Sequence, residues 1–379
     1  MAAVSLGGAG HFNPLVPLLR AGRRRGDDVL IVGPAGMADL VAETGFPFTA
    51  GGEPEEAEVA TIRERMPSAP PAVASELGNR ELFGRLAARA LQPAMIGAFE
   101  RWKPDLVLRE PCEHASASVA MQLDVPVVQV AISLAEAEWG SIAVAAPALE
   151  ELQPGLTAAE RETFYLTRFP VELDPSPFPS TILFRHDRQA SEALPDWWGG
   201  KQSALVYATF GTVLGHMKIA AGVYRAALRA VEGLGLRVLL TVGRRFDLLA
   251  LDSLPAGVHA EPWVDQEQVL AAADLVVCHG GSGTVYGALA AGVPLVIVPV
   301  FADQFENGRR VMDTGAGVVV EIDAGSRSRV VDERDAPRIQ EAVRAVLETP
   351  RYRERAKTIA AAMADAPSAD EVLDALLGS

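Results

Sequence analysis

Short β-branched runs that alternate with alanine-rich amphipathic stretches are the feature that most restricts the fold of this chain. The strand-like runs are 29–32, 106–108, 125–130, 205–207, 237–242, 275–278 and 293–298. The stretches with the apolar spacing of helices include 13–24, 223–234 and 284–291. Strands that alternate with helices in this way predict an α/β protein built from βαβ units around parallel sheets.

A length of 379 residues favours two domains. The alternation is broken over 170–200, where prolines are frequent. Because proline fixes φ and lacks an N–H donor, this stretch is not expected in a regular sheet and is interpreted as a linker. We expect one domain over 1–190, a second over 200–350, and a C-terminal helical segment over 351–379 that packs back towards the first. A second irregular stretch, 53–80, is predicted to be a functional or mobile loop.

Charge and composition exclude several classes of function. A net charge of -15 disfavours nucleic-acid binding, which needs a positive surface to displace counterions. No basic region followed by a long apolar run opens the chain, and the longest apolar run, 295–301, is too short to span a bilayer. The two cysteines, Cys112 and Cys278, indicate a reducing compartment without a disulfide framework. We therefore expect a soluble cytoplasmic protein with no nucleic-acid or membrane partner.

The segment from Trp263 to Asn307 carries the most specific motif. Within it, the strand-like run 275–278 ends in His279-Gly280-Gly281-Ser282-Gly283-Thr284, and a helical pattern follows directly. The N–H groups in a first helical turn lack partners, the helix dipole is positive there, and glycines let an anion approach the backbone. This turn therefore predicts a phosphate site, to which His279 and Thr284 would add side-chain donors.

This segment resembles the donor signature of the family 1 GT-B glycosyltransferases of plants and bacteria. The residues that fall in register with the plant form, without a gap, are His279, Gly281, Gly292, Pro294, Gln304 and Asn307. The resemblance implies an α/β protein of the GT-B class, with two Rossmann-like domains facing each other across a cleft. The implied donor-binding residues are Thr212, Trp263, Gln266, His279, Gly281, Ser282, Gly283, Thr284, Asp303 and Gln304. Trp263 would stack on the base, Gln266 would contact the base or ribose, and Asp303 with Gln304 would bind hydroxyls of the sugar. The turn residues from His279, together with Thr212, would hold the diphosphate.

One position departs from the plant pattern. Eight residues after the histidine, where the plant signature has a glutamate that accepts hydrogen bonds from ribose hydroxyls, this chain has Gly287. A site with an acceptor for a ribose hydroxyl discriminates strongly against a nucleotide that lacks this hydroxyl. A site without the acceptor does not discriminate in this way. The glycine favours a TDP-sugar, or indifference between TDP and UDP.

The first strand–helix loop supplies a candidate base. It runs from Gly7 through His11 to Pro14, and it lacks the final glycine of a dinucleotide fingerprint. A hydroxyl attacks an anomeric carbon well only when its proton is removed, and histidine suits that task near neutral pH. In the family that the chain resembles, the histidine of this Gly-His-x-x-Pro motif is the catalytic base, which implies that role for His11.

The same family places an acid after a later strand, usually as Asp-Pro, to orient the histidine. Here Glu110-Pro111 follows the run 106–108, so Glu110 is the candidate, with Glu113 second. The remaining histidines lack metal-ligand spacing, so no metal and no cofactor beyond the nucleotide sugar is expected. The leaving diphosphate would be stabilised by protein donors instead. Residues 53–90 and 133–150, including Trp139, are expected to line the acceptor side.

The expected function is that of an inverting, metal-independent hexosyltransferase, resembling bacterial enzymes of antibiotic biosynthesis. It would move a sugar or deoxysugar from a TDP- or UDP-sugar to a hydroxyl of a small hydrophobic natural-product aglycone. Two alternatives stay open: a non-transferring GT-B enzyme such as a nucleotide-sugar 2-epimerase, and a non-catalytic partner of a transferase. His11 argues against the first, and His11 with His279 against the second. The sugar, the aglycone, the linkage and the oligomeric state, with a homodimer among the options, are left open.

Overall fold

The computed structural model describes residues 1–66, 69–185, 194–195, 203–215, 217, 219–251, 253–301, 303–320 and 331–378. The chain divides into two compact units, one of residues 1–187 with 366–379 and one of residues 188–365. These boundaries differ from the predicted ones at the C-terminus. The helix Pro350–Ala364 belongs to the second unit, and only the residues from 366 onwards return to the first.

The first unit contains a seven-stranded sheet in which every pairing is parallel. Its strands are β1 Ala2–Val4, β2 Leu30–Pro34, β3 Phe48–Gly51, β4 Val107–Arg109, β5 Val127–Val130, β6 Phe164–Thr167 and β7 Thr181–Leu183. Their order across the sheet is β3-β2-β1-β4-β5-β6-β7. The α-helices of this unit are Ala9–Phe12, Val16–Arg25, Ala38–Ala42, Glu56–Arg65, Pro71–Ser75, Ala88–Trp102, Ala115–Leu123, Ala135–Leu152, Leu156–Glu162 and Ala369–Leu377. A π-helix covers Glu76–Ala87, and a 3-10 turn covers Ala35–Met37.

The second unit contains a six-stranded sheet, again parallel throughout. Its strands are β8 Leu205–Thr209, β9 Arg237–Thr241, β10 Val258–Glu261, β11 Leu275–Cys278, β12 Leu295–Ile297 and β13 Gly317–Val319. The order is β10-β9-β8-β11-β12-β13. The α-helices are Gly211–Leu214, Ala220–Val231, Gln266–Ala272, Ser282–Ala290, Gln304–Thr314, Ala336–Glu348 and Pro350–Ala364, with 3-10 turns at Leu248–Ala250 and Glu333–Asp335.

Both sheets have the strand order of a Rossmann fold, which confirms the predicted class of two Rossmann-like units. In each sheet the chain runs outwards in one direction from its first strand and then returns to build the other side. The switch lies between β1 and β4 in the first unit and between β8 and β11 in the second. Ligands of open α/β sheets bind beyond the carboxyl ends of the strands at such a switch point.

Two interpretations of irregular segments were wrong. The proline-rich stretch was not expected in a regular sheet, yet Thr181–Leu183 pairs with β6 as the last strand; an edge position tolerates nearby prolines. Residues 53–80, predicted as a loop, are helical over Glu56–Arg65 and again from Pro71. The segment 133–150, which is predicted to line the acceptor side, lies almost wholly in the helix Ala135–Leu152.

The C-terminal helix Ala369–Leu377 completes the core of the first unit. Ala369, Val372 and Leu373 are buried in the same apolar cluster as the helix Val16–Arg25. The exposed guanidinium of Arg24 donates from Nε to Asp370 Oδ1 over 3.1 Å. This helix therefore supports the element that follows the His11 loop. Within the described residues, no helix is both long and apolar enough to cross a membrane.

Candidate active site

The switch point of the first unit brings together two loops that are far apart in the sequence. Strands β1 and β4 pair in parallel, with Val4 opposite Arg109. Both strands therefore end at the same edge of the sheet, and the backbone N–H of Glu110 donates to the Val4 carbonyl over 3.3 Å. His11 follows β1 in the short helix Ala9–Phe12, and Glu110 follows β4 directly.

His11 and Glu110 form an acid–base pair at this edge. His11 Nδ1 lies 3.2 Å from Glu110 Oε1, and the histidine side chain is 29% exposed whereas the glutamate side chain is fully buried. The backbone N–H groups of Leu6 and Cys112 donate to the two carboxylate oxygens over 3.2 and 2.7 Å. Burial raises the pKa of Glu110, but His11 and these N–H donors outweigh it and hold that pKa below its ordinary value. The arrangement fixes an ionised carboxylate behind one imidazole nitrogen.

A buried arginine, which the sequence analysis did not single out, anchors the loop that carries Glu110. Arg109 is fully buried, and its guanidinium donates to the carbonyls of Glu113 and Pro111 over 2.5 and 3.1 Å. It also donates to Gln129 Oε1 over 2.7 Å and lies 3.4 Å from Glu160 Oε1. A buried cation is stable only when hydrogen bonds and opposite charges replace its lost hydration. In Arg109, two of these hydrogen bonds go to backbone carbonyls and hold the loop in place.

Glu113, the second candidate for the acid, faces another partner. Its carboxylate accepts hydrogen bonds from the backbone N–H of Ser116, over 3.0 Å, and from the Ser116 hydroxyl. Burial raises the pKa of Glu113, in contrast to that of Glu110. Glu113 therefore stabilises the start of the helix Ala115–Leu123.

Two further side chains surround His11. Ligand atoms of His11, Glu110 and Cys112 all lie within 4.8 Å of one another, a convergence that the sequence spacing did not reveal. The ring of Phe83, from the π-helix, lies 6.2 Å from the His11 ring between centroids. Phe83 falls in the segment 53–90 that was predicted to line the acceptor side. Trp139 of the other predicted segment packs edge-on against Phe178 at 5.1 Å, within the unit.

The switch point of the second unit is organised around His279. The residue follows β11, next to the turn after β8 that carries Thr212, which is exposed. A β-carbon on Gly211 would lie 2.8 Å from His279 Nε2, and one on Gly281 would lie 2.5 Å from it. The imidazole therefore fits between the two turns because both positions are glycine. Burial lowers the pKa of His279 to about 4, against the opposing charge of Asp303, so the ring is neutral at pH 7.

The glycine turn is held by a small polar network. Asn307 donates from Nδ2 to the Gly280 carbonyl over 2.8 Å and to Ser282 Oγ over 3.0 Å. The Ser282 hydroxyl in turn donates to Asp303 Oδ2 over 3.1 Å. Gln304 is 3% exposed, and its Oε1 accepts from two backbone N–H groups of the preceding loop, at 300 and 301. In this conformation, the Ser282 hydroxyl is used to hold the glycine turn, and the side-chain oxygen of Gln304 is used to hold the loop at 300–301.

Gln266 occupies the space beside Gly287. A β-carbon on Gly287 would lie 2.7 Å from Gln266 Nε2 and 2.9 Å from Leu270 Cδ1. The Thr284 hydroxyl, on a residue that is 8% exposed, donates to Gln266 Oε1 over 3.4 Å. The glycine therefore makes room for an amide that can both donate and accept hydrogen bonds.

Trp263 is 53% exposed, as a platform for a base would be. The guanidinium of Arg244 lies 4.7 Å from the centroid of its ring. Arg244, in the turn after β9, was not singled out from the sequence, because two adjacent arginines in a loop carry no distinctive pattern.

Comparison with known proteins gives the same family from several directions. Residues 227–378 match the model of the erythromycin biosynthesis protein CIII-like C-terminal domain. The elloramycin glycosyltransferase ElmGT of Streptomyces olivaceus is 33% identical over 333 residues, which cover 83% of this chain and 84% of that relative. The L-demethylnoviosyl transferase of Streptomyces niveus is 32% identical over 335 residues, with 86% of each chain covered.

Solved structures agree with the fold and the family. The Streptomyces sp. SF2575 glycosyltransferase SsfS6, complexed with thymidine diphosphate, is 25% identical and has a TM-score of 0.77, with 100% of this chain and 99% of that chain covered. The resemblance found in the sequence is thereby confirmed. The chain is a glycosyltransferase with the GT-B fold and belongs to the natural-product branch of family 1.

Proposed function

We propose that this glycosyltransferase inverts the anomeric carbon as it moves a sugar or deoxysugar from a TDP- or UDP-sugar to a hydroxyl of a small hydrophobic aglycone. The observation that carries the proposal is the 3.2 Å contact between His11 Nδ1 and Glu110 Oε1 at the switch point of the first unit. With Nδ1 facing the carboxylate, Nε2 is the ring atom that takes the proton of the acceptor hydroxyl. Glu110 then stabilises the imidazolium that forms.

The donor half of the proposal rests on the second unit. Trp263 stacks on the base, and Gln266 contacts the base or ribose. His279 and the turn Gly281–Thr284, with Thr212, hold the diphosphate. The nine-residue helix Ser282–Ala290 begins at this turn, so its dipole and first N–H groups favour the leaving diphosphate. Because His279 is neutral at pH 7, it contributes a hydrogen bond rather than a charge.

Asp303 is the proposed contact for hydroxyls of the donor sugar, with Gln304 beside it. The carboxylate of Asp303 faces Ser282 and Asn307 in the turn, at 3.1 and 3.2 Å from Oδ2. The amide group of Gln304 would have to contribute through Nε2, since Oε1 is used within the loop. Among the relatives, ElmGT is named for elloramycin and the noviosyl transferase for a sugar, which supports a natural-product acceptor. The alternatives of an epimerase and a non-catalytic partner are not favoured.

The test is a transfer assay with purified protein, a TDP- or UDP-sugar and a panel of hydroxylated aromatic and polyketide acceptors. The product configuration, read by NMR of the anomeric proton, checks inversion, and full activity in EDTA checks metal independence. We expect His11→Ala to lower kcat by about 10²–10⁴-fold, the usual contribution of a positioned base.

A control is the partly exposed pair of His259 and Glu261 in the second unit. His259 Nε2 lies 2.7 Å from Glu261 Oε1 on the edge strand β10, away from both switch points. His259→Ala should keep the parental kcat. Equal turnover of His11→Ala and the parent on a good acceptor would contradict the assigned base.

A further inference from the structure

Three different metal-ligand types converge at the candidate base. One ring nitrogen of His11, one carboxylate oxygen of Glu110 and the sulfur of Cys112 lie within 4.8 Å of one another. The sulfur was assigned no function from the sequence, where Cys112 follows an apolar strand. We propose that His11, Glu110 and Cys112 form a zinc site, and that zinc bound there inhibits the transferase.

The donor set selects the metal. Zinc binds imidazole nitrogen, thiolate sulfur and carboxylate oxygen at roughly 2.0–2.3 Å, and sites with three protein ligands keep a fourth position for water. Thiolate is a soft ligand that magnesium and calcium do not favour. Donors at those bond lengths around a tetrahedral ion lie roughly 3.3–3.8 Å apart, so the observed separations need only small side-chain rotations.

One of the three ligands is fixed, and the other two are accessible to an ion from solvent. Glu110 is fully buried and fixed by the backbone N–H groups of Leu6 and Cys112, so the carboxylate is a preformed anchor. His11 and Cys112 are both partly exposed, so they can rotate onto an ion that arrives from solvent. The other cysteine provides a contrast: Cys278 is fully buried within β11, and burial raises its pKa to about 12.

Zinc at this position would remove the groups that the reaction needs. Binding replaces the thiol proton of Cys112, which is released to solvent, and uses a lone pair of the imidazole and one of the carboxylate. No further bond is made or broken, so a chelator reverses the step. The inhibitory part rests on the proposed role of His11 as the base, whereas the binding part does not.

Binding is tested on the full chain with cobalt as a spectroscopic substitute and with zinc in calorimetry. We expect one tight site and a thiolate-to-cobalt charge-transfer band in the parent protein and in Cys278→Ser. Cys112→Ser and Cys112→Ala should lose the band and bind zinc at least about tenfold more weakly. Circular dichroism melts of each variant check that it is folded. No thiolate band in the folded parent, or the same band in the folded Cys112 variants, would overturn the site.

Inhibition is measured as each variant's rate in zinc divided by its own rate in EDTA. The parent and Cys278→Ser should lose activity in zinc and regain it on chelation, while Cys112→Ser should resist at the same zinc concentration. Equal inhibition of the parent and Cys112→Ser would overturn the inhibitory role even with the site in place. If the parent transfers no sugar to any acceptor, the proposed function fails, and the cobalt spectrum still decides whether the site exists.

Discussion

The amide nitrogen of Gln266 lies where a side chain on Gly287 would begin, 2.7 Å from the position of the missing β-carbon. The plant signature has a glutamate at this position, and in the present chain the space next to it belongs to an amide from the helix Gln266–Ala272. Gly287 therefore leaves open the space that the Gln266 amide fills in this chain. An amide offers one acceptor and two donors, whereas a carboxylate offers acceptors only.

If Gln266 contacts the nucleoside, a methyl group at position 287 should weaken TDP binding by displacing the Gln266 side chain. Gly287→Ala must displace the Gln266 side chain, and we expect the Kd for TDP to rise about tenfold, the worth of a hydrogen bond of roughly 1–1.5 kcal/mol. Gln266→Ala should have a similar effect. Calorimetric titration of both variants and of the double variant checks the coupling. The double variant should bind TDP no worse than either single one, and fully additive losses would contradict the shared mechanism.

The preference of the parent protein between TDP and UDP is a separate prediction. Without a carboxylate at 287 to accept from both ribose hydroxyls, a 2′-hydroxyl gains no dedicated partner there, and its desolvation carries a cost. TDP should therefore bind at least as tightly as UDP. Competition between the two free diphosphates on the same protein measures this directly. A clear preference for UDP would mean that another group reads the ribose, and the expectation of a deoxysugar donor would lose its support.

The substitution Gly283→Ala is expected to change the stability of the protein and its affinity for TDP in opposite directions. A β-carbon on this exposed residue would meet nothing within 4 Å, so Gly283→Ala costs no packing and should raise the free energy of unfolding by up to about 1 kcal/mol through helix propensity. If the diphosphate approaches the backbone of this turn, the same methyl group should weaken TDP binding by about 1–3 kcal/mol, the usual cost of overpacking.

The matched control is Gly140→Ala in the helix Ala135–Leu152 of the first unit, where a β-carbon also meets nothing within 4 Å. It should gain stability in the same way and leave the Kd for TDP unchanged. Thermal melts and calorimetry with TDP give both quantities. Native TDP affinity in Gly283→Ala would place the diphosphate away from this turn.

The parts of the site that the sequence predicted are those set by strand ends and local motifs. Glu110 and His279 each follow a strand whose apolar run is visible in the sequence, and the carboxyl ends of the parallel strands in each sheet lie at one edge. The contacts that the sequence did not predict depend on packing between residues that are far apart in the chain. Cys112 lies two residues after Glu110 in the loop that follows β4, and the sequence spacing alone does not show that its sulfur lies close to the His11 ring.

Other misses have equally specific causes. Phe83 lies in a π-helix, whose spacing differs from the 3.6-residue period by which helices are recognised in a sequence. The position of its ring beside His11 was therefore not predicted. Arg109 looks like a strand-end cation, and only its burial with Glu160 and Gln129 shows it to be structural. The C-terminal boundary was misplaced because two helical patterns are separated only by the short segment that ends in the Ser368 cap.

A buried carboxylate on the helix Ala135–Leu152 predicts a pH-sensitive stability of the first unit. Glu138 Oε1 accepts from the N–H groups of Ile132 and Ser133 over 2.8 and 2.6 Å, and Oε2 lies 2.6 Å from the Tyr165 hydroxyl oxygen. Burial, with the charge of Asp174, raises the pKa of Glu138 from 4.5 to about 8. An acid with a raised pKa keeps its proton in the folded state while the unfolded chain has lost it. Stability therefore falls as pH rises from about 4.5 to about 8.

Glu138→Gln should remove this dependence. The amide oxygen can still accept from the two backbone N–H groups, and the amide nitrogen can donate to the Tyr165 oxygen, as the protonated acid does. The parent should lose up to about 1.4 kcal/mol of unfolding free energy per pH unit across that window, and the variant should lose less. Denaturant titrations at pH 5, 6, 7 and 8 measure the two slopes, with Glu136→Gln, which alters an exposed residue of the same helix, as the control. The control should keep the parental slope. Identical slopes for Glu138→Gln and the parent would show that Glu138 is already ionised in the folded protein at neutral pH.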